Sequence, residues 1–199
     1  MSANPVVYLV DDDAAIRDSL TFMLKQYQYQ LISFESGAEF WQQAAWHQPG
    51  CVILDSRMPK QSGQELQQQL IQHDSPLAII FLTGHGDLPM AVDAFRQGAC
   101  DFFQKPVNGK ELAAAIAKAL DFSQRTYEQQ QLQTLYSSLS QREQQVVALL
   151  IDGNTNKQMS ENLCLSLRTI EVHRANAMKK LGVHTMAELV KYTQLSSAQ

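Results

Sequence analysis

Several common classes are missing from this 199-residue chain before any motif is read. It has only three cysteines, Cys51, Cys100 and Cys164, far apart and in no C-x-x-C pair. That excludes a disulfide scaffold or a thiolate metal site and reads as small, reduced hydrophobes in a cytosolic protein. Its five histidines, at 47, 73, 85, 173 and 184, lack the spacing of metal ligands. No apolar run nears the roughly 18 residues needed to span a bilayer, and no basic n-region precedes the first apolar run. A soluble, cytoplasmic protein without membrane contact is expected. A positive excess is also absent. The net charge of −4 argues against a nucleic-acid partner, provided that the charge is evenly spread. What remains, 45% hydrophobic and 18% charged, is an ordinary globular composition, enough for one large domain or two small ones.

The first 120 residues alternate between two periods. Short strand-like runs at Val6–Val10, Gln30–Phe34, Cys51–Asp55, Leu77–Leu82 and Asp101–Gln104, the first rich in β-branched residues, are each followed by helical spacing. Ser36-Gly-Ala-Glu39 and Ser62-Gly-Gln-Glu65 are capping boxes opening two of those helices. Asn108-Gly-Lys-Glu111 opens the last. Five strand–helix units predict an α/β, doubly wound, five-stranded parallel sheet, buried at its centre on both faces. Residues 121–138 are crowded with glutamine and read as a linker continuing the last helix. From 139 onward, Ser140-Gln-Arg-Glu143, Ser166 and Thr185-Met-Ala-Glu188 open three of four short helices, and Gly153 and Gly182 end two of them. The expected organisation is a domain over 1–120, a linker over 121–138 and a small all-α domain over 139–199.

In a doubly wound sheet the ligand site lies beyond the carboxyl ends of the strands. Asp11, Asp12 and Asp13 follow the first strand, Asp55 ends the third, Thr83 the fourth and Lys105 the fifth. Taken singly, each is ordinary turn chemistry, and Asp13 fits a cap for the helix beginning at Ala14. Together they form a hard-oxygen site for Mg²⁺ beside a carboxylate able to attack phosphorus. Lys105 and the Thr83 hydroxyl are placed to meet phosphoryl oxygens.

The segments Val-Asp11-Asp12-Asp13, Ile-Leu-Asp55-Ser-Arg-Met-Pro59, Leu-Thr83-Gly-His-Gly and Phe-Gln-Lys105-Pro106 resemble the receiver domain of two-component response regulators over residues 5–120. The resemblance implies that Asp55 accepts a phosphoryl group from a sensor histidine kinase. It also implies Mg²⁺ held by Asp11, Asp12, Asp55 and the backbone carbonyl of Arg57, and a cis Lys105–Pro106 peptide. Lys105 would bridge to the phosphoryl group, and Thr83 and Phe102 would form the switch. Arg57 and His85, at the rim, would tune phosphate lifetime.

The charge, split by region, is uneven. Residues 1–120 hold eight Lys/Arg against thirteen Asp/Glu, and residues 121–199 hold eight against seven. Within 166–181, Arg168, Arg174, Lys179 and Lys180 face only Glu171. This basic helix follows another across a tight turn, the geometry of a helix-turn-helix whose second helix enters the major groove. Ile170, Ala177 and Leu181 read as its buried stripe. Leu139-Ser-Gln-Arg-Glu143, Gly153-Asn-Thr-Asn156-Lys157 and the run Leu165–Arg174 resemble the LuxR-type helix-turn-helix over 139–192. The resemblance implies Glu171, Val172 and Ala175 as base-facing residues. Lys157, Arg168, Thr169, Arg174 and Lys179 would contact the backbone, and a final helix, Met186–Thr193, would supply the dimer contact.

Both resemblances together identify the NarL/FixJ response regulators, on the FixJ-like branch. They imply a transcriptional activator that dimerises on phosphorylation, binds double-stranded promoter DNA and works with RNA polymerase. A rival reading is a Mg²⁺-dependent phosphatase, because Asp11-Asp12-Asp13 contains the Asp-x-Asp spacing. That motif normally continues with Thr or Val, and here Ala14 and Ala15 follow. A regulator independent of phosphate is the third alternative, against which stands the presence of every pocket residue.

Overall fold

The computed structural model describes residues 6–84 and 88–196, without the side chains of 88–90, 194 and 196. His85 lies outside the described residues. The chain divides into two compact units, residues 1–127 and 128–199.

In the first unit, β1 (Val6–Val10), β2 (Leu31–Phe34), β3 (Gly50–Asp55), β4 (Ala78–Thr83) and β5 (Asp101–Gln104) form one parallel sheet in the order β2-β1-β3-β4-β5. The apolar runs occupy the centre, and every residue of β3 and β4 is buried. Helices α1 (Ala14–Lys25), α2 (Gly37–Gln43), α3 (Gly63–Gln72), α4 (Leu88–Arg96) and α5 (Gly109–Ser137) follow the strands. Strand alternation splits the core in two. Val7, Leu9, Cys51, Ile53, Ile80 and Leu82 pack with α1 and α5. Val10, Val52, Leu54 and Phe81 pack with α2, α3 and α4. Phe102 joins the second layer and Phe103 the first, as alternation along β5 requires.

The caps form, two of them with a variation. Ser62 and Glu65 make the full reciprocal box. Ser36 accepts from the Glu39 N–H, but the Glu39 carboxylate passes the cap and accepts from the Glu35 N–H. Thr185 likewise accepts from the Glu188 N–H, but the Glu188 carboxylate accepts from the His184 N–H at 2.7 Å. Asp13 caps α1 through the Ala15 N–H at 2.8 Å. The glutamine-rich stretch is helical through Ser137. Ser123 belongs with the first unit: its buried Oγ accepts from the Gly50 N–H at 2.8 Å and donates to the Pro76 carbonyl at 2.6 Å.

The second unit holds the end of α5, then α6 (Gln141–Ile151), α7 (Asn156–Leu163), α8 (Leu167–Leu181) and α9 (Met186–Leu189). The expected final helix is not one α-helix. After α9 come a 3₁₀ turn, Val190–Tyr192, and α10 (Thr193–Ser196). Tyr192 is fully buried in this core, stacks on Tyr136 and donates to the Leu181 carbonyl at 3.2 Å. That anchor draws the last turns against the core. Ser140–Glu143 and Thr155–Gln158 are both full capping boxes. Gly182 ends α8 in the left-handed region, φ +63°, where a Cβ is strained. Among the described residues no helix is long and apolar enough to cross a membrane.

Candidate functional site

The carboxyl edge of the sheet gathers the expected charges. Asp11 follows β1, Asp55 ends β3 and Lys105 follows β5, all in phase with the layer facing α1 and α5. Lys105 Nζ lies 2.6 Å from Asp11 Oδ2 and 2.8 Å from Asp55 Oδ1. Both carboxylates are nearly closed off, with side chains 1% and 8% exposed. Their remaining oxygens accept backbone N–H groups: Asp11 Oδ1 from Asp13 at 3.0 Å, and Asp55 Oδ2 from Arg57 at 3.1 Å. The Lys105–Pro106 peptide is cis. Close packing fixes the Asp55 backbone, because a Cβ on Gly63 at the start of α3 would meet the Asp55 carbonyl oxygen at 2.4 Å.

Burial pushes the Asp11 pKa up, and the hydrogen bonds from Lys105 and the Asp13 N–H only partly oppose it. Burial alone would push Lys105 down, but the two carboxylates outweigh it and hold its ammonium above the usual lysine range. The charged triad is thus held together at the expense of an unwillingly ionised Asp11.

Oxygens of Asp11, Asp12 and Asp55 lie within 4.8 Å of one another, and Asp12 is exposed. Three carboxylates with one open to solvent suit a hard divalent cation such as Mg²⁺, which keeps several waters and shares a phosphate. Thr83 is fully buried at the end of β4. It lies in phase with Phe81 and Phe102, on the opposite layer from Asp55. Its carbonyl accepts the Lys105 N–H at 2.7 Å, tying β4 to the lysine loop.

In the second unit, α8 separates into two faces. Ile170, Ala177 and Leu181 are buried. Arg168, Glu171, Val172, Ala175 and Lys179 are exposed and recur at helical spacing on the opposite side. Val172, 52% exposed, is an apolar side chain at the centre of that face. Lys157 is exposed on α7. Thr169 and Arg174 are only half-buried members of the set. Thr169 Oγ1 lies 2.8 Å from Ser166 Oγ at the helix cap, and Arg174 donates to Asn156 Oδ1 at 3.0 Å.

Two groups escaped the sequence reading. Lys180, counted there among the basic charges of α8, donates to the buried Glu143 carboxylate at 2.7 Å. The same carboxylate closes the Ser140 cap. Asn156, seen only as part of a motif, is the partner of Arg174. A capping box is local and readable, but a partner 37 residues away leaves no periodic signal.

The model of the response regulator receiver domain matches residues 7–117, and that of bacterial regulatory proteins of the luxR family matches residues 137–193. The chain is 40% identical to the tetrathionate response regulatory protein TtrR of Salmonella typhimurium, with 93% of this chain and 90% of that protein covered. It is 38% identical to the transcriptional regulatory protein FixJ of Bradyrhizobium diazoefficiens, with 96% and 95% covered. Among solved structures, the response regulator StyR is 40% identical, with 96% of this chain and 99% of that chain covered, at a TM-score of 0.71. Full-length FixJ from B. japonicum is 36% identical, covers both chains fully and has a TM-score of 0.59.

Proposed function

We propose, for a chain that belongs to the FixJ-like response regulators with a receiver and a LuxR-type DNA-binding domain, that Asp55 is the phosphoacceptor of a promoter-binding activator. The observation that carries this reading is the meeting of Asp11, Asp55 and Lys105 at one sheet edge, with Asp55 Oδ1 2.8 Å from the ammonium.

An Asp55 carboxylate oxygen attacks the phosphorus of a phosphohistidine on the sensor kinase. The O–P bond forms as the P–N bond breaks, and the electron pair leaves on the kinase imidazole, which takes up a proton. Lys105, already held by two carboxylates, follows the negative charge onto the phosphoryl oxygens. Asp11, Asp12, Asp55 and the Arg57 carbonyl would hold Mg²⁺, whose charge offsets that of the incoming phosphoryl group. Thr83 then donates its hydroxyl to a phosphoryl oxygen, and the Phe102 ring fills the space released. The phosphoryl group shifts the population because it contacts the two arrangements differently.

In the second unit, Val172 and Ala175 suit thymine methyl groups, and Glu171 can accept from a cytosine amino group. Lys157, Arg168, Thr169, Arg174 and Lys179 contact phosphates and set the register. Val190, 66% exposed, and Met186, 40% exposed, supply the contact of the phosphorylated homodimer on paired half-sites. The dimer acts in the cytoplasm and engages RNA polymerase.

Incubation with a phosphorylated histidine kinase should transfer one phosphoryl group to the wild-type protein, visible by mass, and tighten promoter binding. Asp55→Asn should show neither effect. An Asp55→Asn protein that binds its promoter and answers the kinase as wild type does would refute the reading.

A further inference from the structure

Ser56, immediately after the phosphoacceptor position, is 2% exposed, and its Oγ has no hydrogen-bond partner among the described residues. Its backbone is fully engaged. The N–H donates to the Leu82 carbonyl at 2.9 Å, extending the β3–β4 ladder by one residue, and the carbonyl accepts the Gly63 N–H at 3.3 Å. The residue is therefore held in strand register, and alternation sets its side. Leu54 packs in the layer under α2, α3 and α4, Asp55 turns to Lys105, and Ser56 returns to the Leu54 side. Asp55 pairs with Leu82, so Ser56 stands abreast of Thr83, which is in phase with Phe81 on that same layer. Two buried hydroxyl residues thus adjoin at the ends of neighbouring central strands.

A buried hydroxyl left without a partner is unfavourable, and one that persists beside a functional group calls for a reason. A hydroxyl that donates its proton elsewhere becomes a better acceptor, so hydrogen bonds reinforce one another in chains. We propose that Ser56 is a positioning residue for Thr83. Its hydroxyl is unpartnered in the unphosphorylated protein. It donates to Thr83 Oγ1 once Thr83 donates to a phosphoryl oxygen. The chain Ser56 O–H to Thr83, then Thr83 O–H to phosphoryl, satisfies the orphaned group only in the phosphorylated arrangement and so favours that arrangement. Ser56 itself touches neither the phosphoryl group nor the metal.

This inference rests on Asp55 being the phosphoacceptor, and the test separates the two. Beryllofluoride with Mg²⁺ serves as the phosphoryl probe on the full chain, read by calorimetry and by the melting temperature with and without the probe. Ser56→Ala should bind beryllofluoride about 2–10-fold more weakly, while its melting temperature without the probe stays equal to wild type or rises. Ser56→Thr, which keeps the hydroxyl, should recover most of the affinity. On a Thr83→Ala background the Ser56→Ala change should have no further effect, an outcome that a merely structural role does not give. Wild-type affinity in Ser56→Ala, or the same loss with and without Thr83, overturns the proposal while leaving the phosphoacceptor reading intact. A wild-type protein that binds beryllofluoride no better than Asp55→Asn overturns both.

Discussion

Lys105 and Lys179 carry the same charge in opposite settings. The first is closed into the sheet edge, 19% exposed and within 2.8 Å of two carboxylates, whereas the second stands exposed on the outer face of α8. In the receiver, charge is assembled from residues far apart in sequence and held where water is scarce. In the DNA-binding domain, charge is laid along one helix and left in solvent. The first arrangement suits a small, doubly charged group that must be gripped, because interactions strengthen as water is excluded. The second suits a polyanion whose counterions are released on contact. The same contrast sets the expected size of each substitution.

The largest effect should come from Lys105→Met. It removes the ammonium from between two buried carboxylates, and breaking such a pair from one side costs about 3–5 kcal/mol. Urea unfolding of the receiver at pH 7 should register most of that loss, and millimolar Mg²⁺ should restore part of it. Asp11→Asn should behave in the contrary way. Burial raises the Asp11 pKa, so the neutral form is favoured in the fold, and the stability it contributes is present at low pH and lost as pH rises through the folded value. At pH 7 the Asn variant should equal or exceed wild type in stability, yet lose its Mg²⁺-induced shift in melting temperature. A marked destabilisation would show that the carboxylate is held for stability and not for function.

On α8 the effects should appear in binding. Val172→Ala and Glu171→Ala should each cost about 1–3 kcal/mol on the cognate operator and relax preference at one base pair. Lys157→Ala should weaken all sequences alike and reduce the slope of log K against log salt by about 1. A Val172 variant that loses affinity equally on random DNA would place it on the backbone, and the contrast between the two classes of contact would fail.

What was legible follows the same division. The parallel sheet could be read because its buried strands are apolar runs, and the two faces of α8 because periodicity is local. The convergence of Asp11, Asp55 and Lys105 could be read because topology brings strand ends together. Side-chain partnerships across the fold could not. The Lys180–Glu143 and Arg174–Asn156 bonds depend on how three helices pack, and the broken last helix depends on where Tyr192 finds its cavity. Nothing in the Ser36–Glu39 spacing shows that the carboxylate would bypass its cap for the Glu35 N–H.

The smallest effect tests a lysine that breaks the pattern of its own helix. Lys180 adds to the positive count of α8, yet it serves Glu143 and the Ser138 carbonyl. Lys180→Met should therefore leave the salt slope of DNA binding unchanged, in contrast to Lys179→Met. It should cost about 1–2 kcal/mol of domain stability, a figure reduced for solvent screening because Lys180 is 43% exposed. Burial pushes the Glu143 pKa up, but the Lys180 bond and the Ser140 cap outweigh it and hold the carboxyl below the usual glutamate range. A depressed pKa contributes stability above the ordinary glutamate value and loses it as pH falls through the folded one. Unfolding followed from pH 7 to pH 3 should show the wild-type advantage over Lys180→Met flat down to about pH 4 and shrinking below it. An advantage that instead fades between pH 7 and 5 would assign the stability to a histidine and not to the Lys180–Glu143 pair.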